Sequence, residues 1–318
     1  MARIPKMSPG QRAGSSVVNP ETQRPADRGR WSRREFLRGC LLASGTLLVA
    51  PVVSACREPD ASDTLAMARA QGFIKIGFAD EAPYGYVTES GGLTGQAPEV
   101  ARAVMERLGV PEVDGVLTPF GSLISDLEDR RFDLIAAGMF ITPDRCQQVL
   151  FSDPDYCVEQ AFLVIEGNPY GVSRYESISD LSDVRLGVVT GTVEVDQARD
   201  SGVSANQVTR FDNPADLLVA VQERRIDVAA LTTISLANLA QTADMGGVEV
   251  TESFAHGDEL GCGAFGFRPA DQAFRDEFNR VLRQMRDDGD LTGIVDPFGF
   301  ADASDASEGV SAEELCTP

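Results

Sequence analysis

Apolar residues follow two rhythms along this chain. Short runs such as Phe73-Ile74-Lys75-Ile76-Gly77-Phe78, and those at 160–165 and 262–267, are of strand length. Elsewhere apolar residues return every three or four positions. Val100, Val104 and Leu108 do so early in the chain, Leu217, Leu218 and Val221 in the middle, and Phe274, Phe278, Val281, Leu282 and Met285 near the end. The first rhythm predicts strands at 73–78, 114–119, 132–139, 160–165, 184–189, 227–231 and 262–267. The second predicts helices at 98–108, 123–129, 193–200, 214–224, 235–241 and 270–285. Strand and helix alternate, so the fold class is α/β with largely parallel open sheets. The cycle runs twice with no long linker between rounds, and a last strand and helix follow. Two lobes are expected, with strands at 156–164 and 261–267 crossing between them and a ligand cleft at the hinge.

The first 55 residues differ in kind. Arg28 to Arg38 is basic, with paired arginines in Ser32-Arg33-Arg34-Glu35-Phe36-Leu37, and an uncharged stretch runs from Gly39 to Ala55. That stretch is shorter than the roughly 20 apolar residues of a good membrane span. Basic start, short apolar middle and small-residue end read as an export signal, and the paired arginines resemble a twin-arginine signal. Val53-Ser54-Ala55-Cys56 resembles a lipobox, which makes Cys56 the expected lipidation site and a lipid anchor the expected tie to the outer face of the membrane. Residues 56–70 are expected to be a tether.

Charge excludes some partners. Of 28 basic and 49 acidic residues, 9 and 3 precede Cys56, leaving 19 and 46 and a formal charge near −27. Nucleic acid and anionic lipid both need basic patches, so neither fits. Lys6 and Lys75 are the chain's only lysines. Strong acidity with so little lysine resembles proteins of salt-adapted organisms; a GC-rich genome accounts for scarce lysine but not for acidity. No spacing suggests a metal site or another cofactor, and the lone His256 leaves most metal and triad chemistry without its usual residue. With Cys40 in the signal and Cys56 at the lipobox, Cys146, Cys157, Cys262 and Cys316 allow two disulfides in three pairings. Cys157 and Cys262 sit on segments that can run side by side, so that pair is expected.

The most informative chemistry lies in Gly138-Met139-Phe140-Ile141-Thr142-Pro143-Asp144-Arg145. An apolar strand precedes it, Thr142 suits a helix N-cap and Pro143 the first helical position. Arg145 then stands in a first turn, where free N–H groups and the guanidinium both favour a carboxylate. Phe140 sits at the strand's carboxyl end, where open α/β sheets bind ligands.

Several motifs, taken in order, resemble family 3 extracellular solute-binding proteins. They are Gly77-Phe78-Ala79-Asp80-Glu81-Ala82-Pro83-Tyr84-Gly85-Tyr86, Leu93-Thr94-Gly95, Phe132-Asp133-Leu134-Ile135, Thr142-Pro143-Asp144-Arg145 and Phe151-Ser152-Asp153-Pro154. Gly187-Val188-Val189-Thr190-Gly191-Thr192 and Gly263-Ala264-Phe265-Gly266-Phe267-Arg268 complete the series. The resemblance spans about 72–299. It implies a periplasmic-binding-protein-like fold of two α/β lobes on a two-stranded hinge. It also implies a monomer that captures a small solute outside the cytoplasm and delivers it to the permease of an ABC importer, without catalysis. The resulting division is signal 1–55, tether 56–70, lobe 1 at 71–157, lobe 2 at 158–261, a return to lobe 1 at 262–300 and a loose acidic tail at 301–318.

Within the family, Glu81 to Tyr86, Phe120-Gly121-Ser122-Leu123-Ile124 and Gly138 to Pro143 resemble ectoine and hydroxyectoine binders. By that resemblance Arg145 takes a carboxylate. Phe140 stands where amino-acid binders often have a hydroxyl, and Thr232 where they often have an acid. A delocalised cation suits aromatic faces better than a compact ammonium does. Tyr84, Phe120 and Phe140 are therefore the expected walls of a cage, and Glu81 the acceptor for ring N–H groups. Thr142, Gly191, Thr192 and Thr232 are the remaining expected contacts, and Tyr86 is expected in the core or at the rim. A polar amino acid or betaine is the alternative ligand. A dehydratase-like enzyme on this fold is a second alternative, with Glu81 as its one strong acid–base candidate.

Overall fold

The structure is a computed structural model and describes residues 63–257 and 260–317. The export signal, Cys56 and the tether's first residues lie outside the described residues.

The first lobe begins with α1 (Thr64–Gln71), β1 (Phe73–Phe78), the hairpin strands β2 (Tyr86–Val87) and β3 (Leu93–Thr94), and α2 (Gln96–Arg107). It continues with β4 (Glu112–Leu117), α3 (Leu123–Glu128), β5 (Leu134–Phe140), α4 (Pro143–Cys146), β6 (Leu150–Phe151) and β7 (Tyr156–Val158). The second holds β8 (Gln160–Ile165), α5 (Tyr175–Ser179), β9 (Leu186–Val189), α6 (Val193–Asp200) and β10 (Val208–Phe211). Then come α7 (Pro214–Gln222), β11 (Val228–Thr232), α8 (Thr233–Thr242) and β12 (Val248–Val250). The chain returns through β13 (Gly261–Phe267), α9 (Gln272–Asp287), α10 (Asp290–Val295), α11 (Ala301–Asp305) and α12 (Ala312–Leu315).

Two sheets organise these elements. The first has the order β4-β1-β5-β13-β6, with β7 also on β13; the second has the order β10-β9-β11-β8-β12. β1 is parallel to β4 and β5, whereas β13 runs antiparallel to β5, β6 and β7. Strands covered on both faces are nearly continuous apolar runs, and every residue of β9 and β11 is buried, with Thr232 at the end of β11. The long amphipathic α9 buries Phe274 and Phe278 against Phe267, with ring centroids 5.1 and 5.4 Å apart.

The chain passes between sheets twice. The first passage is a break at Glu159 between β7 and β8, not one continuous strand from 156 to 164. The second is made by the stretch between Val250 and Gly261, while β13 itself stays within the first sheet. Cys157 and Cys262 are direct cross-strand neighbours on β7 and β13 and form a disulfide. Cys146 pairs with Cys316.

Two expectations need correction. Residues 64–70 are not tether: they belong to α1, capped by Asp63, with Leu65 and Ala68 buried. The Thr64 hydroxyl bonds Asp271 at 2.6 Å and accepts from Arg268, whose buried guanidinium also pairs with Asp271 and Asp133. The acidic tail is not loose either. Ser304 and Ser307 are buried, and Arg286 donates to the Ser307 carbonyl and hydroxyl and to the Pro154 carbonyl. Small residues let this segment lie close to the lobe, and Cys316 ties it down covalently.

Candidate functional site

A cavity of about 40 Å³ lies between the carboxyl ends of the two sheets. Glu81, Tyr84, Phe120, Phe140 and Arg145 line it from the first lobe, and Thr192 and Thr232 from the second. Thr142 and Gly191 do not reach the wall. The Thr142 hydroxyl caps α4 by accepting from the Arg145 N–H at 3.3 Å, and Gly191 offers only its carbonyl, to Arg145. Tyr86 is half-buried on β2, away from the wall. His256 is half-buried beside Tyr175 and takes no part.

Local sequence sets each side chain. Thr142 and Pro143 start α4 directly after β5, which turns Arg145 back over the strand end. Its Nη1 donates to the Phe140 carbonyl at 2.6 Å and its Nη2 to the Gly191 carbonyl at 2.9 Å, so one guanidinium touches both lobes. Its carbon lies 5.7 Å from the Phe120 ring centroid, within cation–π range. Two of the five N–H groups are thereby used, and three remain for a carboxylate.

Tyr84 packs its ring over Gly138, where any Cβ would overlap it, and Gly138 itself has φ +63°. Glycine is the residue that meets both demands. The Tyr84 hydroxyl reaches across the cleft to the Thr232 hydroxyl at 2.8 Å. Thr232 also caps α8 and bonds Ser235, whose hydroxyl donates to Glu81 at 2.7 Å. Thr232 thus acts chiefly on protein groups. Thr192 likewise gives its hydroxyl to the Val189 carbonyl, Thr190 to Phe211 and Thr233 to Glu159.

One acid at the wall escaped the sequence reading. Glu194, in the first turn of α6, is buried and lines the cavity from the second lobe. Burial pushes its carboxyl above the ordinary range, against the Thr192 hydroxyl, its own amide and Arg145. Burial likewise pushes half-buried Glu81 up to about 7; Ser235 opposes that shift and Glu194 adds to it. Arg145 is lowered by burial, and Glu194, Asp196 and Tyr156 resist the fall. The site therefore carries one guanidinium, two carboxylates and three aromatic rings on one lining. Among the described residues no cluster of side chains could hold a metal ion, and no helix is long and apolar enough to cross a membrane.

Residues 74–302 match the model of the bacterial extracellular solute-binding proteins, family 3. The chain belongs to that family. A probable amino-acid ABC transporter periplasmic-binding protein of Sinorhizobium fredii, y4tE, is 32% identical over 262 residues, covering 80% of this chain and 86% of that protein. The crystal structure of EhuB in complex with hydroxyectoine is 34% identical with a TM-score of 0.77, covering 80% of this chain and 98% of the other. An ancestral amino acid-binding protein described as a precursor of cyclohexadienyl dehydratase shares 26% identity with a TM-score of 0.66, covering 74% and 99%. The family makes this chain an extracytoplasmic solute-binding component of an ABC importer for amino-acid-like ligands, with the two-lobed fold of its neighbours.

Proposed function

We propose that the protein captures ectoine or hydroxyectoine by closing its lobes on the solute and hands it to its permease. One observation carries the reading: Arg145, the rings of Tyr84, Phe120 and Phe140, and the carboxylate of Glu81 line one cavity. Ectoine is a cyclic zwitterion with a carboxylate and a delocalised amidinium. The carboxylate goes to the free N–H groups of Arg145. The amidinium lies among the rings, each cation–π contact being worth roughly 0.5–2 kcal/mol. Its N–H groups donate to Glu81. EhuB, the neighbour solved with hydroxyectoine, supports the same ligand class. Export by the twin-arginine route, lipidation at Cys56, a monomeric state and a high-salt habitat complete the proposal.

Glu81 and Glu194 together also favour a second reading, an amino acid with an extra cationic group. A third reading, a dehydratase-like enzyme, draws on Glu81, since a carboxyl near 7 suits proton transfer at neutral pH. Calorimetric titration with ectoine, hydroxyectoine, glycine betaine and arginine, at low and high salt, tests all three. Binding of either ectoine in preference to arginine and betaine, with the ligand recovered unchanged, is expected. Absence of ectoine and hydroxyectoine binding sinks the leading reading, and a chemically altered ligand points to the enzyme.

A further inference from the structure

The helix that carries Arg145 is poorly anchored by its own residues. α4 is four residues long and has no fully buried side chain. A single turn is marginal without outside support. Its support comes from Cys146, which packs against the apolar cluster holding Phe120 and Met139 and is bonded to Cys316. Ala312 and Leu315 of the tail pack into that same cluster.

The other end of the tail supports the opposite half of the site. Phe300 is fully buried with its ring edge-on to Tyr84 and Tyr156, centroids 5.0 and 5.1 Å away. The Tyr156 hydroxyl donates to the Gly138 carbonyl, directly under the Tyr84 ring. Between these ends, Arg286 clamps Ser307 to the Pro154 carbonyl at the approach to β7.

We propose that residues 300–317 form a disulfide-locked strap that positions the ligand site from behind, with the Cys146–Cys316 bond as the positioning element for Arg145. The proposal rests on the reading that Arg145 takes the ligand's carboxylate. A planar guanidinium that must meet two carbonyls and a carboxylate tolerates little drift of its turn. Phe300 sets Tyr84 by packing, and Cys316 sets Arg145 covalently, so one segment fixes the spacing between the cation and anion subsites.

The test is a set of double-mutant cycles read by calorimetry with ectoine as the probe. Cys146→Ala/Cys316→Ala is measured alone, with Arg145→Lys, and with Phe140→Ser. One charge-assisted hydrogen bond corresponds to about tenfold or more in affinity, and that loss is expected from the alanine pair alone. The same pair should cost little in the Arg145→Lys background and the full amount in the Phe140→Ser background. An equal loss in both backgrounds, or none, overturns the proposal. Hydrogen exchange of the 144–149 amides, measured without ligand, should quicken in the alanine pair; unchanged exchange also overturns it. This second readout keeps the strap testable should ectoine fail to bind. If the alanine pair does not fold, phosphine reduction of the folded wild type serves instead. The phosphine takes oxygen from water and leaves two thiols in place of the Sγ–Sγ bond. Cys146 and Cys316 are half-buried, while Cys157 and Cys262 are buried, so the first bond opens sooner. Faster exchange at 144–149 on its opening is expected, and no change counts against the strap.

Discussion

Tyr84 and Thr232 meet hydroxyl to hydroxyl across the cleft at 2.8 Å, one from each lobe. This contact stabilises the closed arrangement independently of any ligand group. Tyr84→Phe keeps the ring and deletes the bond, so ligand affinity should fall by about 0.5–1.5 kcal/mol. Thr232→Val should cost binding a similar amount, and stability about 1 kcal/mol more, because it also removes the α8 cap. The double variant should bind no worse than the weaker single one. Calorimetry and denaturant melts read these; additive binding losses would refute the coupling.

Arg145→Ala should abolish measurable binding of a carboxylate ligand. Phe140→Ser should weaken a delocalised cation, by about 1–2 kcal/mol, more than it weakens a compact ammonium. Titrating both variants with ectoine and arginine separates the two subsites. Unchanged ectoine affinity in either variant refutes that residue's role.

Glu81 sets a pH dependence. Its carboxyl stands at about 7, and a bound cation favours the ionised form. Affinity should therefore fall as pH drops below 7, approaching tenfold per unit, and Glu81→Gln should flatten the profile. The sign for folding is the reverse. The folded-state pKa lies above the ordinary 4.5, so the folded protein binds this proton more tightly. Its contribution to stability declines as pH rises from about 4.5 to about 7. Melting of wild type against Glu81→Gln across that window checks it.

Gly121 and Gly191 face each other, backbone to backbone, at the mouth of the cleft. A Cβ on Gly191 would strike the Gly121 backbone, and Gly191 has φ +82°. Gly191→Ala should cost about 1 kcal/mol in stability from the backbone alone. It should also hold the lobes apart, so solution scattering with saturating ligand should show a larger radius of gyration than wild type. An unchanged radius with unchanged affinity would mean closure does not need this contact.

Much of the frame was legible in the chain because buried central strands are written as mostly apolar runs. Phe73–Phe78 and Gln160–Ile165 matched their predicted bounds. Both edge strands of the second sheet were missed: β10 and β12 are three or four residues long and mostly not buried, so they leave no clean pattern. The tail was misread because its composition resembles disorder, while its order comes from a distant arginine and a disulfide partner 170 residues away. At the site, the aromatic residues, Glu81 and Arg145 stood out by motif. Glu194 did not, because an acid in a helix's first turn is favoured by the helix dipole whether or not it faces a ligand. Thr142 and Gly191 were expected at the wall; the Thr142 hydroxyl instead takes the N-cap role that Thr142-Pro143 also predicted, and the Gly191 carbonyl turns to Arg145.

The Cys157–Cys262 bond lies where the chain leaves and re-enters the first sheet. Two strands pinned rung to rung cannot slip lengthwise past one another. The two passages to the second sheet therefore start from fixed points, and a lobe that closes by turning on them presents the membrane-embedded permease with one approach angle instead of a spread of them.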